Sequence, residues 1–178
     1  MATPPQPAGA APGADAPITI RAAVPADAPG IVTMREVVAG EGRWIGRELP
    51  LPPELGDAIE ASIRAGDGPY LVCDQAGRIV GDAGLHPDGH GHAGLFMALL
   101  PEARGQGLGG RLLDELIAWA RDQDELFKLI LDVWPHNEPA LRLYRSRGFQ
   151  VEGYRHRHWR RQDGELWDAI EMGLLLDT

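Results

Sequence analysis

The sequence predicts an α/β domain with a mixed, mostly antiparallel twisted sheet of about seven strands flanked by four helices, in the order β-α-α-β-β-β-α-β-α-β-β. Three observations carry that prediction. Apolar residues switch along the chain between a repeat of about 2 and one of about 3.6, which separates strand from helix. The central strands are joined by short polar turns, which favours antiparallel neighbours. Four glycines within six positions, Gly105, Gly107, Gly109 and Gly110, stand between an apolar run and an amphipathic helix.

Each element has its own reason. ITIRAAV, from Ile18 to Val24, reads as a strand. The first helix starts near Asp27 and ends at Gly40, with Ile31, Met34, Val37 and Val38 on one face. A loop bearing Arg43, Trp44, Arg47 and Glu48 leads to a second helix, opened by Pro52 or Pro53 and stopped by Gly66. YLVCD, RIVGDAGLH and HAGLFMALL are strands joined by Gln75-Ala76-Gly77 and by PDGHG. The helix after the glycines gathers Leu108, Leu112, Leu113, Leu116, Ile117 and Ala120 in one stripe. FKLILDVW is a buried strand, NEPALRLYRSRG a short helix, and FQVEGYRHRHWRR with ELWDAIEMGLLL a hairpin around Asp163-Gly164. Asp168 falls in register with Ile170, Met172 and Leu174, so it reads as an inward, structural acid bonded to backbone or arginine.

Composition bounds the rest. At 178 residues and 44% hydrophobic positions the chain buries one core, so residues 17–178 form a single domain. Residues 1–16, rich in Ala, Pro and Gly, read as a disordered tail and lack the basic start and apolar core of a secretory signal. No run reaches the length of a membrane span. The lone Cys73 fits a cytoplasmic location and gives no support for a covalent acyl-enzyme. A net charge of −9 argues against nucleic-acid partners. His86, Asp88, His90 and His92 have metal-ligand chemistry but span a turn, so a polar hairpin is expected and no metal. The basic run from Arg155 to Arg161 reads as a solvated strand face that could also meet a carboxylate-bearing substrate.

A helix N-terminus leaves about four N–H groups unpaired and carries roughly half a positive charge, so a glycine turn there suits a phosphate or diphosphate. Arg104 adds a cation beside it. GQGLGG formally satisfies the dinucleotide fingerprint, with Asp132 as the distal acid. Four residues separate the strand from the first glycine, however, and the preceding strands lack crossover helices, so an NAD(P)-dependent oxidoreductase is the second choice.

The same residues fit R-x-x-G-x-G, and here the chain resembles the GNAT superfamily of acetyl-CoA-dependent N-acetyltransferases, from Ile18 to Leu176. Arg104-Gly105-Gln106-Gly107-Leu108-Gly109 resembles its diphosphate motif, and NEPALRLYRSRGFQVEG its second block. The resemblance implies a GNAT-like fold and acetyl transfer from acetyl-CoA to a primary amine by direct attack through a tetrahedral intermediate. The diphosphate would lie on the N–H groups from Gly105 to Gly110, and the pantetheine arm along the strand ending in Ala98, Leu99 and Leu100, splayed from KLILDVW. Asn137 would meet the arm. Tyr144, seven residues on and so about two turns along the same helix side, would protonate the leaving thiolate. Many relatives place a glutamate base on the strand before the glycines, where this sequence has Gly94. Glu48 is the preferred substitute, with Asp82 and His92 as alternatives. Trp44, Tyr154, His156 and His158 would face the acceptor, a small-molecule amine or a protein N-terminus. A non-catalytic acyl-CoA-binding module is the third reading, and a homodimer is allowed.

Overall fold

The computed structural model describes residues 16–176, so the predicted tail lies, apart from Ala16, outside the described residues. Seven strands are present among them: β1 (Thr19–Ala22), β2 (Tyr70–Gln75), β3 (Arg78–Pro87), β4 (His92–Leu99), β5 (Lys128–Val133), β6 (Gln150–Arg160) and β7 (Leu166–Leu175). The helices are α1 (Ala28–Gly40), α2 (Leu55–Ala65), α3 (Leu108–Arg121) and α4 (Glu138–Ser146). They form one sheet in the order β1-β2-β3-β4-β5-β7-β6, antiparallel except where β4 meets β5. The crossover between those two strands is α3, which is why a mixed sheet results.

Local chemistry sets the boundaries. Gly66 adopts φ 67° and returns its N–H to the Ser62 carbonyl, ending α2. Arg21 on β1 bonds both Asp27 oxygens at 2.7 and 2.8 Å and Asp74 at 2.9 Å, fixing the entry to α1 against β2. That guanidinium holds the Asp27 carboxyl below its usual range. One apolar cluster joins Ile31 of α1 and Ile59 of α2 to Tyr70 and Val72. A larger one packs the α3 stripe, Leu141 and Tyr144 against β3, β5 and β7. Among the described residues, no helix is long and apolar enough to cross a membrane.

The β6–β7 hairpin departs from simple alternation. Arg155 pairs with Ala169, yet the next pair is Trp159 with Trp167. Three residues therefore bulge opposite Asp168, and Arg157 takes φ 51°. Asp168 is not the inward residue the register predicted: its side chain is 32% exposed. It holds the bulge instead, accepting from the Arg157 N–H at 2.7 Å and the Tyr154 hydroxyl at 3.0 Å.

Candidate active site

The site begins where two strands part. β4 pairs with β5 only through His92–Gly94 and Lys128–Ile130. Beyond that, β4 keeps β3 through Leu99 while β5 keeps β7 through Val133. The Leu100 N–H donates to the Val80 carbonyl on the β3 side at 2.9 Å. Alternation along the ladder then turns the Met97 N–H and C=O and the Leu99 N–H toward the gap, where β5 has gone. Leu100, expected beside Leu99 on the pantetheine arm, turns the other way and is buried in the core.

A cavity of about 760 Å³ opens at the splay, lined by Leu99, Gly105, Gly107, Asn137 and Tyr144 among others. At its end the glycine turn enters α3. Gly105 and Gly107 have φ of 74° and 77°, backbone that an L side chain would strain. The Arg111 N–H to Gly107 carbonyl bond is the first of the helix. Six consecutive N–H groups, Gly105 to Gly110, consequently have no acceptor among the described residues. Gln106 closes the turn from outside through the Glu102 carbonyl at 2.6 Å. The Leu108 side chain is buried, so that residue offers the site only its N–H. Gly109 and Gly110 lie close to Leu143 and Arg147, whose side chains an added Cβ would crowd.

Arg104 is placed differently from its predicted role. Its guanidinium bonds both Glu41 oxygens, at 2.9 and 2.5 Å, and its Nε bonds the Leu99 carbonyl at 3.0 Å. Glu41 also accepts from Trp44 Nε1 at 2.7 Å, so the three residues tie the end of α1 to the end of β4. Arg104 holds the Glu41 carboxyl below the usual glutamate range. The cation expected for the diphosphate is thus a structural tie that borders the cavity.

Tyr144 and Asn137 do share the cavity. Asn137 caps α4, its Oδ1 accepting from the Ala140 N–H at 3.3 Å. The Tyr144 ring is buried beside Phe149, with centroids 5.6 Å apart, and its hydroxyl has no partner among the described residues. Burial pushes that phenol up to about 12, so it stays protonated at neutral pH.

A second cavity, of about 610 Å³, adjoins the first and shares Gly46, Met97, Ala98 and Trp159 with it. Glu48 lines this one, bonded by the Gln162 N–H at 3.1 Å and approached by Arg161 Nε at 3.4 Å. The alternative bases are elsewhere. Asp82 is fully buried under Arg35, and His92, the first residue of β4, sits beside Asp88 of the β3–β4 turn. The Asp88 carboxylate accepts the His90 and His92 N–H groups at 2.8 and 3.2 Å, which closes that turn.

Of the hairpin residues, His158 and Trp159 line the cavities, whereas Tyr154 and His156 pack on each other outside them. The extra residues after Arg155 shift the pairing, so His158 and Trp159, and not His156, meet the cleft. Trp134 and Trp167 were not anticipated. Their rings lie 5.5 Å apart, and Trp134 also packs on Trp159, making a wall over which the loop at Gly46 closes. The only sequence signal was five tryptophans in a chain with few other aromatics.

Fold and site together define an acyl-transfer cleft, and comparison with known proteins agrees. The model of the Acetyltransferase (GNAT) family matches residues 40–149. The N-alpha-acetyltransferase RimI of Mycobacterium tuberculosis is 31% identical over 149 residues, covering 81% of this chain and 85% of that protein. A GNAT-family acetyltransferase from Streptococcus pneumoniae superposes with a TM-score of 0.80 at 27% identity, over 90% of this chain and 100% of that one. The yncA protein of Salmonella typhimurium, solved with its cofactor acetyl-CoA, gives 0.78 at 26% identity over 92% and 96%. The chain belongs to the GNAT family of acetyltransferases.

Proposed function

We propose that the protein moves the acetyl group of acetyl-CoA to a primary amine, of a small molecule or a protein N-terminus, by direct attack of that amine. One observation carries the reading: six N–H groups without an acceptor among the described residues at the head of a 14-residue helix, beside a strand whose far edge opens past Gly94. The site fits the coenzyme on that ground. Glycine N–H groups at the positive end of α3 suit a diphosphate. The Met97 and Leu99 backbone suits the amide-bearing arm, and the Asn137 amide borders it.

Acetyl-CoA supplies an activated thioester. The residues do the rest. A backbone N–H in the splay stabilises charge developing on the carbonyl oxygen, an effect of about 3 kcal/mol where one such donor is removed. As the new C–N bond replaces the C–S bond, the Tyr144 hydroxyl gives a proton to the departing sulfur. Glu48, in the adjoining cavity, takes the proton that the amine loses. Trp159 lines both cavities and Trp44 the first. RimI, named as an N-alpha-acetyltransferase, supports an amine acceptor.

Thermal shift tests the coenzyme half. Acetyl-CoA at 100 times its Kd should add about 2.7 kcal/mol of stability, and NAD(P) none. Thiol release with an amine panel tests the chemistry; binding without release would leave an acyl-CoA-binding module. A Glu48→Gln enzyme whose kcat/KM and pH profile match the parent's would remove Glu48 from the base role.

A further inference from the structure

The second cavity has an excess of positive charge in a protein of net charge −9. Three arginines line it: Arg35, Arg47 and Arg160. The last two are exposed and make no hydrogen bond or ion pair among the described residues. Arg35 is different, because it is fixed from behind. Its Nε and Nη2 bond Asp82 Oδ2 at 2.9 and 2.6 Å, and Nη2 also meets the Tyr70 hydroxyl at 3.1 Å. Asp82 in turn is fully buried and accepts from the Tyr70 hydroxyl at 2.9 Å. Among the described residues those bonds leave Nη1 of Arg35 without an acceptor, on a side chain that is 15% exposed. Glu48, the acid lining the cavity, already faces Arg161.

We infer that the acceptor is an α-amino acid, its carboxylate held by Arg35 with Arg47 and Arg160 and its amine directed toward Met97 and Ala98, where the two cavities meet. The inference rests on the acetyl-transfer reading and names the substrate class for it. A guanidinium pre-set by a buried carboxylate loses little freedom on binding, and its flat N–H edge matches a carboxylate. Ile45, Pro50, Pro52 and Phe96 complete the wall, so an apolar side chain is favoured next to the charged end. A polyamine would add cations to a cavity whose free charges are cationic. A protein N-terminus would present a neutral amide where these arginines await an anion, leaving them unpaired.

The test compares the twenty common amino acids with their carboxamides and decarboxylated amines, the carboxamide standing for a peptide N-terminus. Binding is measured by calorimetry on the CoA-saturated protein, and turnover by thiol release. The expected result is at least one acid that binds tenfold or more tightly than both of its neutral-ended analogues. In Arg47→Gln/Arg160→Gln that preference should fall tenfold or more, with CoA affinity retained as proof of folding. Equal or better binding of the carboxamides, no binding of any acid, or a preference unchanged in the double variant would overturn the inference. Acid-selective binding with no thiol release from any amine would instead strike the acetyl-transfer reading and leave the carboxylate site standing.

Discussion

The cavity proposed for the coenzyme and the one proposed for the acceptor meet at Met97 and Ala98 but are made of different material. The first presents main chain: the N–H groups of Gly105 to Gly110 and the open edge of β4. The second presents side chains: Arg35, Arg47, Glu48 and Arg160 around an apolar wall. Backbone donors do not depend on which side chain is attached, so one glycine turn serves a fixed ligand. Side chains change with each substitution, so the opposite cavity is where specificity can vary on a constant scaffold. Coenzyme binding should therefore respond to backbone strain, and acceptor selection to charge.

The largest effect that would sharpen this contrast lies beneath the acceptor side. Asp82→Ala strips the buried partner from Arg35 and should cost about 3–5 kcal/mol of stability, read by denaturant unfolding. The same variant, where folded, should bind acetyl-CoA within about twofold of the parent, because the N–H groups of Gly105 to Gly110 make no bond to Asp82 or Arg35. A change confined to coenzyme affinity would break the division into two halves.

Next comes Tyr144, the proposed proton donor. Tyr144→Phe should lower kcat about 100-fold with little change in acetyl-CoA affinity, measured by thiol release. The sign of its pH behaviour is fixed by burial. A phenol pushed up to about 12 stays protonated below that, so no alkaline loss of rate before about pH 11 should belong to it. A tyrosine-dependent fall near pH 9 would contradict the buried, unpartnered geometry.

A smaller effect belongs to the turn. Gly107→Ala places a Cβ at φ 77°, strain of about 1–2 kcal/mol that should weaken acetyl-CoA by about tenfold as the turn relaxes. Amino-acid preference should not move. The smallest concerns Glu41, whose carboxyl Arg104 holds below the usual range. The stability it contributes is present above the ordinary glutamate value and is lost as pH falls through the lowered one. Because the pair is partly exposed, that loss should stay under about 1 kcal/mol, visible as a difference between the parent and Glu41→Gln in acid titrations.

Much of this molecule was legible from its residues. The α3 stripe, the Gly66 stop and the turns at Ala76-Gly77 and Asp163-Gly164 are local signals, and the strands and helices fall within a few residues of where those signals put them. The glycine turn was legible for the same reason, since few sequences need such a run before a helix. What was not legible depends on the third dimension. Nothing in Arg155 to Trp159 announces a bulge, because Arg157 is not a residue type that favours positive φ, so which of His156 and His158 meets the cleft is not readable from the residues. Arg104 looked free for an anion because its partner, Glu41, is remote in sequence. Asp82 reads as a base because Arg35 reaches it only after α1 packs on β3, and Tyr70 only once β2 pairs with β3. The tryptophan wall joins Trp134, on one connection, to Trp159 and Trp167 of a hairpin and has no local pattern at all.

The claim on which the rest depends is that main-chain donors at the head of α3 hold the diphosphate. Amide resonances of Gly105 through Gly110, followed by ¹⁵N–¹H correlation spectra during titration with CoA and with pantetheine, test it most directly. Large shifts at these amides with CoA, and small ones with pantetheine, which lacks the diphosphate, are the predicted result. Saturable binding of CoA that left those amides unmoved would contradict the account.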